Sequence, residues 1–318
     1  MKRLFFSIAL VFCCLLLSSW GFYAHRRINQ LAIFTLPEGM LGFYKNNYKY
    51  IGDHAADPDK RRYAVASEAP KHYLDVENYE THIDSIPERW KDALAKYGDE
   101  KLQKDGIVPW QIQRSYYQLV NAFKERDSLK ILKTSSDLGH YIADAHVPLH
   151  TTNNHNGQLS NQVGIHAFWE SRVPELFAVN YNLIVGKAQY ISNPLKEAWA
   201  IVKNTHTMVD SVLRFEAELN KSFPADQKYD FSTRGRNVVK QYSRAYSLAY
   251  QKMLNGMIER QMRASILKVG SFWMSAWIDA GQPDLRGIIR IETSIEDKKQ
   301  EEKIENKYKE GKIIGREF

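Results

Sequence analysis

The chain has 318 residues, of which 44% are hydrophobic and 25% charged. That is the composition of a globular protein, long enough for one large domain or two small ones, and it excludes a chain disordered throughout. The formal net charge of +7 is compatible with an anionic substrate without pointing to one.

Residues 1–19 differ from the rest. Lys2 and Arg3 precede an apolar stretch from Leu4 to Leu17, and Ser18 and Ser19 follow. A charged start, an apolar run and small residues before a cut form a secretory signal, which predicts a periplasmic or secreted protein. The run is short for a membrane span, so no stable span is expected after cleavage. Phe12, before Cys13, is not a small residue, which argues against a lipid anchor there. Cys13 and Cys14 are the only cysteines, and both fall inside the signal. The mature chain would then fold without disulfides, held by core burial or by metal. Loss of Lys2 and Arg3 takes the formal charge from +7 to +5.

From residue 20 onward helical periodicity dominates. "RRINQLAIFTL" puts Ile28, Leu31, Ala32 and Phe34 at helical spacing, and "WQIQRSYYQLVNAFKE" does the same with Ile112, Leu119, Val120 and Phe123. "LKILKTSSDLGHYIADAH" predicts a further helix, ended by Pro148. The polar stretch 151–164, with two glycines, reads as a loop. Long helical segments are expected near 194–221 and 235–279. No run alternates with period two for long enough to suggest a sheet, and no fixed-period repeat is present. Tyr242, Tyr246 and Tyr250 recur at spacing four, the pattern of core packing rather than of a base-stacking platform. From about Arg290 the chain is almost all charge, as in a solvated helix or a disordered tail. The expected organisation is a single all-α domain over 20–285 and a charged tail over 286–318.

The chemistry concentrates in "DLGHYIADAHVPLH". His140 and Asp144 are four apart, hence on one face of a helix and about one turn from each other. His150 follows a proline break that can bend it back to the same place. "HAFWE" supplies His166 and Glu170, again four apart. One such pair is an ordinary surface feature. Two pairs and a further histidine within 31 residues are not. Upstream, "DHAADPDKRRY" offers Asp57, "APKHYLD" offers His72, and His25 stands near the signal. His54, His82, His146, His155 and His206 read as structural or surface residues. The candidate set is imidazole and carboxylate without thiolate, which suits zinc first and manganese or iron after it. Eight side chains exceed one tetrahedral site and suit two or three ions with open positions. Such clusters acidify water and cleave phosphate esters.

With these residues in place, the chain resembles the superfamily of zinc-dependent phospholipases C and single-strand nucleases, the latter being the S-one/P-one type of fungi and plants. The family pattern is an N-terminal Trp, a nearby His, an Asp, a His, H-x3-D-x5-H, and then H-x3-D or H-x3-E. It falls on Trp20, His25, Asp57, His72, His140, Asp144, His150, His166 and Glu170. The resemblance implies an all-helical single domain of that type around three zinc ions. One ion would use Asp57, His72, His140 and Asp144. A second would use His25, Asp144 and the Trp20 main chain, its free amine included. The third would use His150, His166 and Glu170. An α-amine titrates at roughly 7.7–8, so zinc displaces its proton at modest cost. Cleavage after Ser19 would thus create a ligand.

The five-residue step from Trp20 to His25 resembles the nuclease branch. In that branch an aromatic ring and an Asp clamp a nucleobase, and Tyr73 and Asp75 stand at those positions. Asp57, with Lys60 and the adjacent Arg61, would be catalytic, the cations stabilising charge developing at phosphorus. Arg62 reads as part of a solvated basic turn. Glu170 stands where the nucleases carry Asp and agrees with the phospholipases. The loop from His150 to His166 is shorter than in the fungal enzymes, and Asn153, Asn154, Asn156 and Asn161 are its candidate base contacts. The leading expectation is an exported zinc endonuclease on single-stranded DNA or RNA, with 3′-nucleotidase activity as a secondary expectation. The alternatives are a phospholipase C acting on lipid head groups, with "FYKNNYKY" as a candidate apolar lip, and a non-enzymatic protein with structural zinc.

Overall fold

A computed structural model of the protein describes residues 22–234, 237–288 and 294–316. The expected signal and Trp20 lie outside the described residues. Those described are helical, with one two-stranded antiparallel sheet. No described helix is long and apolar enough to cross a membrane.

The helix Ser128–Ala145 is the axis of the fold. Asp127 caps its start, the carboxylate accepting from the Lys130 N–H at 3.0 Å, which satisfies one of the donors a helix end leaves orphaned. The chain leaves the helix at His146, and Pro148 opens a short 3-10 turn, Pro148–Thr151. Ile131, Leu138, Ile142 and Ala145 are completely buried, and so are Ser135 and His140 on other sides. Burial on nearly every side marks a helix surrounded by others. Its neighbours are the helices Val108–Glu125, Met257–Asp279, Phe22–Ala32 and Tyr48–Asp53. Trp273 stacks on Tyr44 with ring centroids 5.0 Å apart, and its indole N–H donates to the Ser135 carbonyl at 3.0 Å. "FYKNNYKY" thus contributes Tyr44 to the core.

Gly139 sets how closely the first described helix approaches this axis. A Cβ at that position would lie 2.1 Å from Asn29 Oδ1, and Asn29 uses the space to donate to the Ser136 carbonyl at 3.0 Å. One turn earlier on the same helix, His25 lies flat against His140, centroids 4.1 Å apart. A glycine next to one histidine therefore brings a second into register with it.

Two expectations change. The segment 235–279 is not one helix. Tyr229–Arg234 and Asn237–Tyr242 pair as antiparallel strands, Tyr229 opposite Tyr242. Each strand has six residues and carries aromatic or β-branched side chains, which suit a pleated surface. Runs that short are submerged in a search for long alternation. Helix resumes at Arg244–Met253, where Ser243 accepts from the Tyr246 N–H, and again at Met257–Asp279. Positive φ at Asn255 and Gly256 separates the two. The tyrosine stripe packs inward: Tyr246 and Tyr250 are fully buried, and Tyr242, Tyr246 and Tyr250 gather on Phe168 with centroids 3.9, 5.7 and 4.9 Å away. The segment 194–221 likewise divides, into the helices Pro194–His206 and Val209–Ser222. Of the two readings of the charged tail, the helix holds. The tail's described part forms the helix Ile295–Glu310, which lies against the helix Asp57–Arg61. Tyr308 holds it there, edge-on to Tyr63 at 5.1 Å.

Candidate metal centre

Seven of the eight side chains read as ligands converge. Three groups of potential ligand atoms, each within 4.8 Å, are His25, His140 and Asp144; Asp59, His72 and His140; and His150, His166 and Glu170. The i,i+4 spacing on the Ser128–Ala145 helix places His140 Nε2 3.2 Å from Asp144 Oδ2. His166 lies on the short helix Ile165–Ala167 and Glu170 on the π-helical turn Phe168–Arg172 that continues it, with His166 Nε2 2.8 Å from Glu170 Oε2. Such turns are rare and recur at functional sites.

Asp144 divides its two oxygens. Oδ2 faces His72 Nδ1 at 2.9 Å and His140 Nε2 at 3.2 Å. Oδ1 faces His25 Nε2 at 3.4 Å and His150 Nε2 at 4.0 Å. Glu170 closes the other side, with Oε1 3.2 Å from His25 Nε2 and Oε2 3.4 Å from His150 Nε2.

Three of the histidines are pinned from behind. Nδ1–H of His140 donates to the Ala55 carbonyl at 2.9 Å, that of His150 to the His72 carbonyl at 2.6 Å, and that of His166 to the His155 carbonyl at 3.1 Å. Each ring thus aims its Nε2 at the cluster. An outer N–H held by the backbone is the usual support of a metal-ligating imidazole. The two segments are tied a second time, since the Leu74 N–H donates to the His150 carbonyl at 2.9 Å. His150 Nε2 and His166 Nε2 are 3.2 Å apart. With both protons on Nδ1, lone pair would face lone pair unless a cation or an added proton lies between. The donor set and its orientation therefore fit a divalent metal of the zinc type.

Proton affinities in the cluster are split. Burial pushes His72 down to about 4 against the pull of Asp144. Burial also opposes protonation of His140, but Asp144 and Asp59 outweigh it and raise His140 to about 9. Asp144 and Glu170 are both held well below the usual carboxylate range, their histidine neighbours overcoming burial. At neutral pH His72 is ready to coordinate, whereas His140 must release a proton to do so.

The structure does not bring Asp57 to the cluster. Asp57 is half-buried and turned away from the cluster, accepting from His54 Nδ1 at 2.6 Å and facing Lys60 Nζ at 3.3 Å. Asp59 takes its place, with Oδ1 3.8 Å from His72 Nδ1 and 3.7 Å from His140 Nε2. The reason is helical phase. On the helix Asp57–Arg61, Asp59 lies two positions from Asp57 and so takes the inward face. Asp57 and Lys60 share the outer one. Lys60 accordingly lies beside Asp57 and within 4.0 Å of Glu305, away from the ligands. Arg61 is turned into a buried network with Asp137 at 3.0 Å and Glu68 at 3.2 Å. The cation at the cluster is Arg62, buried rather than solvated, with Nη1 3.7 Å from Asp59 Oδ1. The three-residue step from acid to cation in "DPDKRR" fits Asp59 and Arg62 as well as Asp57 and Lys60. Nothing in the sequence chooses between them; the packing of this turn does.

Tyr73 and Asp75 line one recess, and both are buried. The Tyr73 hydroxyl donates to the Lys104 carbonyl at 3.0 Å, which fixes the ring. Arg316 reaches over it from the far end of the chain. Its guanidinium carbon lies 3.9 Å from the Tyr73 ring centroid, and Nη1 pairs with Asp75 Oδ1. Burial raises Asp75 to about 6 even against that guanidinium, with Asp105 and Glu77 adding to the rise. The loop amides mostly serve the loop itself. Asn153 bonds Asn78 and Asn154 bonds Ser160, each at 2.9 Å, and Asn156 accepts from the Gly164 N–H, also at 2.9 Å. No family model matches this sequence, and no curated protein matches it.

Proposed function

We propose that the protein is an exported zinc-dependent phosphodiesterase that hydrolyses single-stranded nucleic acid. The observation that carries this reading is Asp144, whose two oxygens face different histidine groups. A carboxylate placed in that way suits a bridge between ions, and the three groups suit three zinc ions. Zinc bound there supplies Lewis-acid polarisation of a phosphoryl oxygen and an acidified water. Trp20 lies outside the described residues; by the resemblance, its main chain would complete the group of His25 and Asp144.

The chain's own residues then divide the work. Asp144 and Glu170 hold the imidazoles in one orientation. Arg62, buried beside Asp59, is a fixed positive charge for the charge that develops at phosphorus. Tyr73 offers a ring face and Asp75 a carboxylate to a nucleobase. Replacing Tyr73 by Ala, in a chain that also carries Arg316→Ala so that the arginine does not compete, is expected to weaken substrate binding by about 1–3 kcal/mol. Steady-state kinetics on a short oligonucleotide would check this, and an unchanged KM would remove Tyr73 from the site.

One observation favours a second reading. The recess holds a guanidinium between an aromatic face and a carboxylate, and a cationic lipid head group satisfies the same pair. A phospholipase C is therefore the alternative. A side-by-side assay on single-stranded RNA, single-stranded DNA and phosphatidylcholine vesicles decides between them. Nucleic-acid cleavage abolished by chelation and restored by zinc is expected. Vesicle hydrolysis alone would select the lipase, and metal-dependent folding without hydrolysis would select a structural role.

A further inference from the structure

We propose that the segment 312–316 is a competitor built into the chain, with Arg316 seated where part of the substrate must go. The proposal rests on the reading of the Tyr73–Asp75 recess as a substrate subsite. Arg316 is held at both ends. Its guanidinium stacks on Tyr73 at 3.9 Å, pairs with Asp75, and places Nη2 3.5 Å from the Thr152 carbonyl. Its own carbonyl oxygen accepts from Arg62, the cation beside Asp59. One residue thus satisfies the aromatic face, the carboxylate and the cluster's cation together, as a base with its attached phosphate would.

The path to this seat is specific. The Ile314 N–H donates to the Arg62 carbonyl at 3.0 Å. Gly315 has φ +96°, and a Cβ there would lie 3.2 Å from Ala69 Cβ, so the last bend favours glycine. The helix Ile295–Glu310, docked through Tyr308 on Tyr63, brings the segment to the recess. The Arg316 side chain is 11% exposed and that of Asp75 is 9%, which is not the state of a solvated tail. Only four residues lie between Gly311 and Arg316. A tether that short gives an effective concentration of order millimolar, so a weak contact suffices to keep the recess filled until substrate displaces it.

The test uses the full chain and its Arg316→Ala variant, loaded with zinc, on a mixed-sequence single-stranded oligonucleotide. Given millimolar effective concentration, KM is expected to fall roughly tenfold in the variant with kcat unchanged. The peptide GKIIGREF, titrated into the variant by calorimetry, is expected to bind and to restore the higher KM competitively. The same peptide with Ala for Arg is expected not to bind, and Asp75→Asn in the protein should weaken binding severalfold. An unchanged KM, or no peptide binding, would overturn the competitor. A raised KM in Arg316→Ala would make Arg316 a substrate contact instead. If neither chain cuts any phosphodiester while the peptide binds in an Asp75-dependent way, the proposed function falls and the docking of Arg316 stands.

Discussion

Replacing Asp144 by Ala is expected to remove more than one metal ion per chain and to lower phosphodiester hydrolysis by about a thousandfold, that is, about 4 kcal/mol of transition-state stabilisation. The expectation follows from its position. Four histidine nitrogens face its two oxygens, at 2.9, 3.2, 3.4 and 4.0 Å. No other carboxylate among the described residues touches both His72 and His25 in this way. Truncation leaves a group of buried imidazoles with no shared counter-charge, and a cation held by two groups loses a ligand in each. Asp144→Asn keeps the volume and discards the charge, so it separates loss of metal from loss of packing. Elemental analysis of purified chains, with circular dichroism to verify the helices, reads the result directly. A full metal complement in either variant would refute the bridging role.

Asp59→Asn is expected to lower both metal content and activity, the latter by at least about a hundredfold. Asp57→Asn should change activity less than about threefold. Asp59 stands 3.7–3.8 Å from the nitrogens of His72 and His140 and beside Arg62. Losing it strips a group of its carboxylate and removes the acid nearest to the buried Arg62 guanidinium, which is costly in itself. Asp57 gives up a contact with His54 and another with Lys60, both half-exposed, and such pairs contribute about 0–1 kcal/mol. The pair of variants is its own control, since the two residues share one turn and one net charge. The opposite ranking would return the cluster to Asp57 and the cation to Lys60.

The histidines and both acids of the i,i+4 pairs were legible because a helix fixes which residues share a face. His140 with Asp144 and His166 with Glu170 needed only that rule. Asp59 was missed because "DPDKRR" contains two aspartates and two possible acid-to-cation steps. Only the packing of this turn, a property of the folded chain, separates them. The strands Tyr229–Arg234 and Asn237–Tyr242 were missed because six-residue runs flanked by long helical patterns carry little periodic signal. The tail hid its role for another reason. A run of charge reads as solvent-loving by composition, and nothing in "GKIIGR" states that its arginine lies against Tyr73. That contact joins residues more than two hundred positions apart, beyond the reach of any local pattern.

The hydrogen bond from His150 Nδ1–H to the His72 carbonyl carries a last consequence. The carbonyl of one ligand residue fixes the ring of another, and those two side chains belong to different groups. A rotation of the peptide unit at His72 therefore tilts the His150 ring as well. The groups cannot relax independently, and the conformational entropy of ordering them is lost once rather than once per group. If metal ions fill these groups, occupancy of one would orient a ligand of the next, and filling would be expected to be cooperative. In such a molecule, metal starvation lowers the number of competent chains more than it degrades each one.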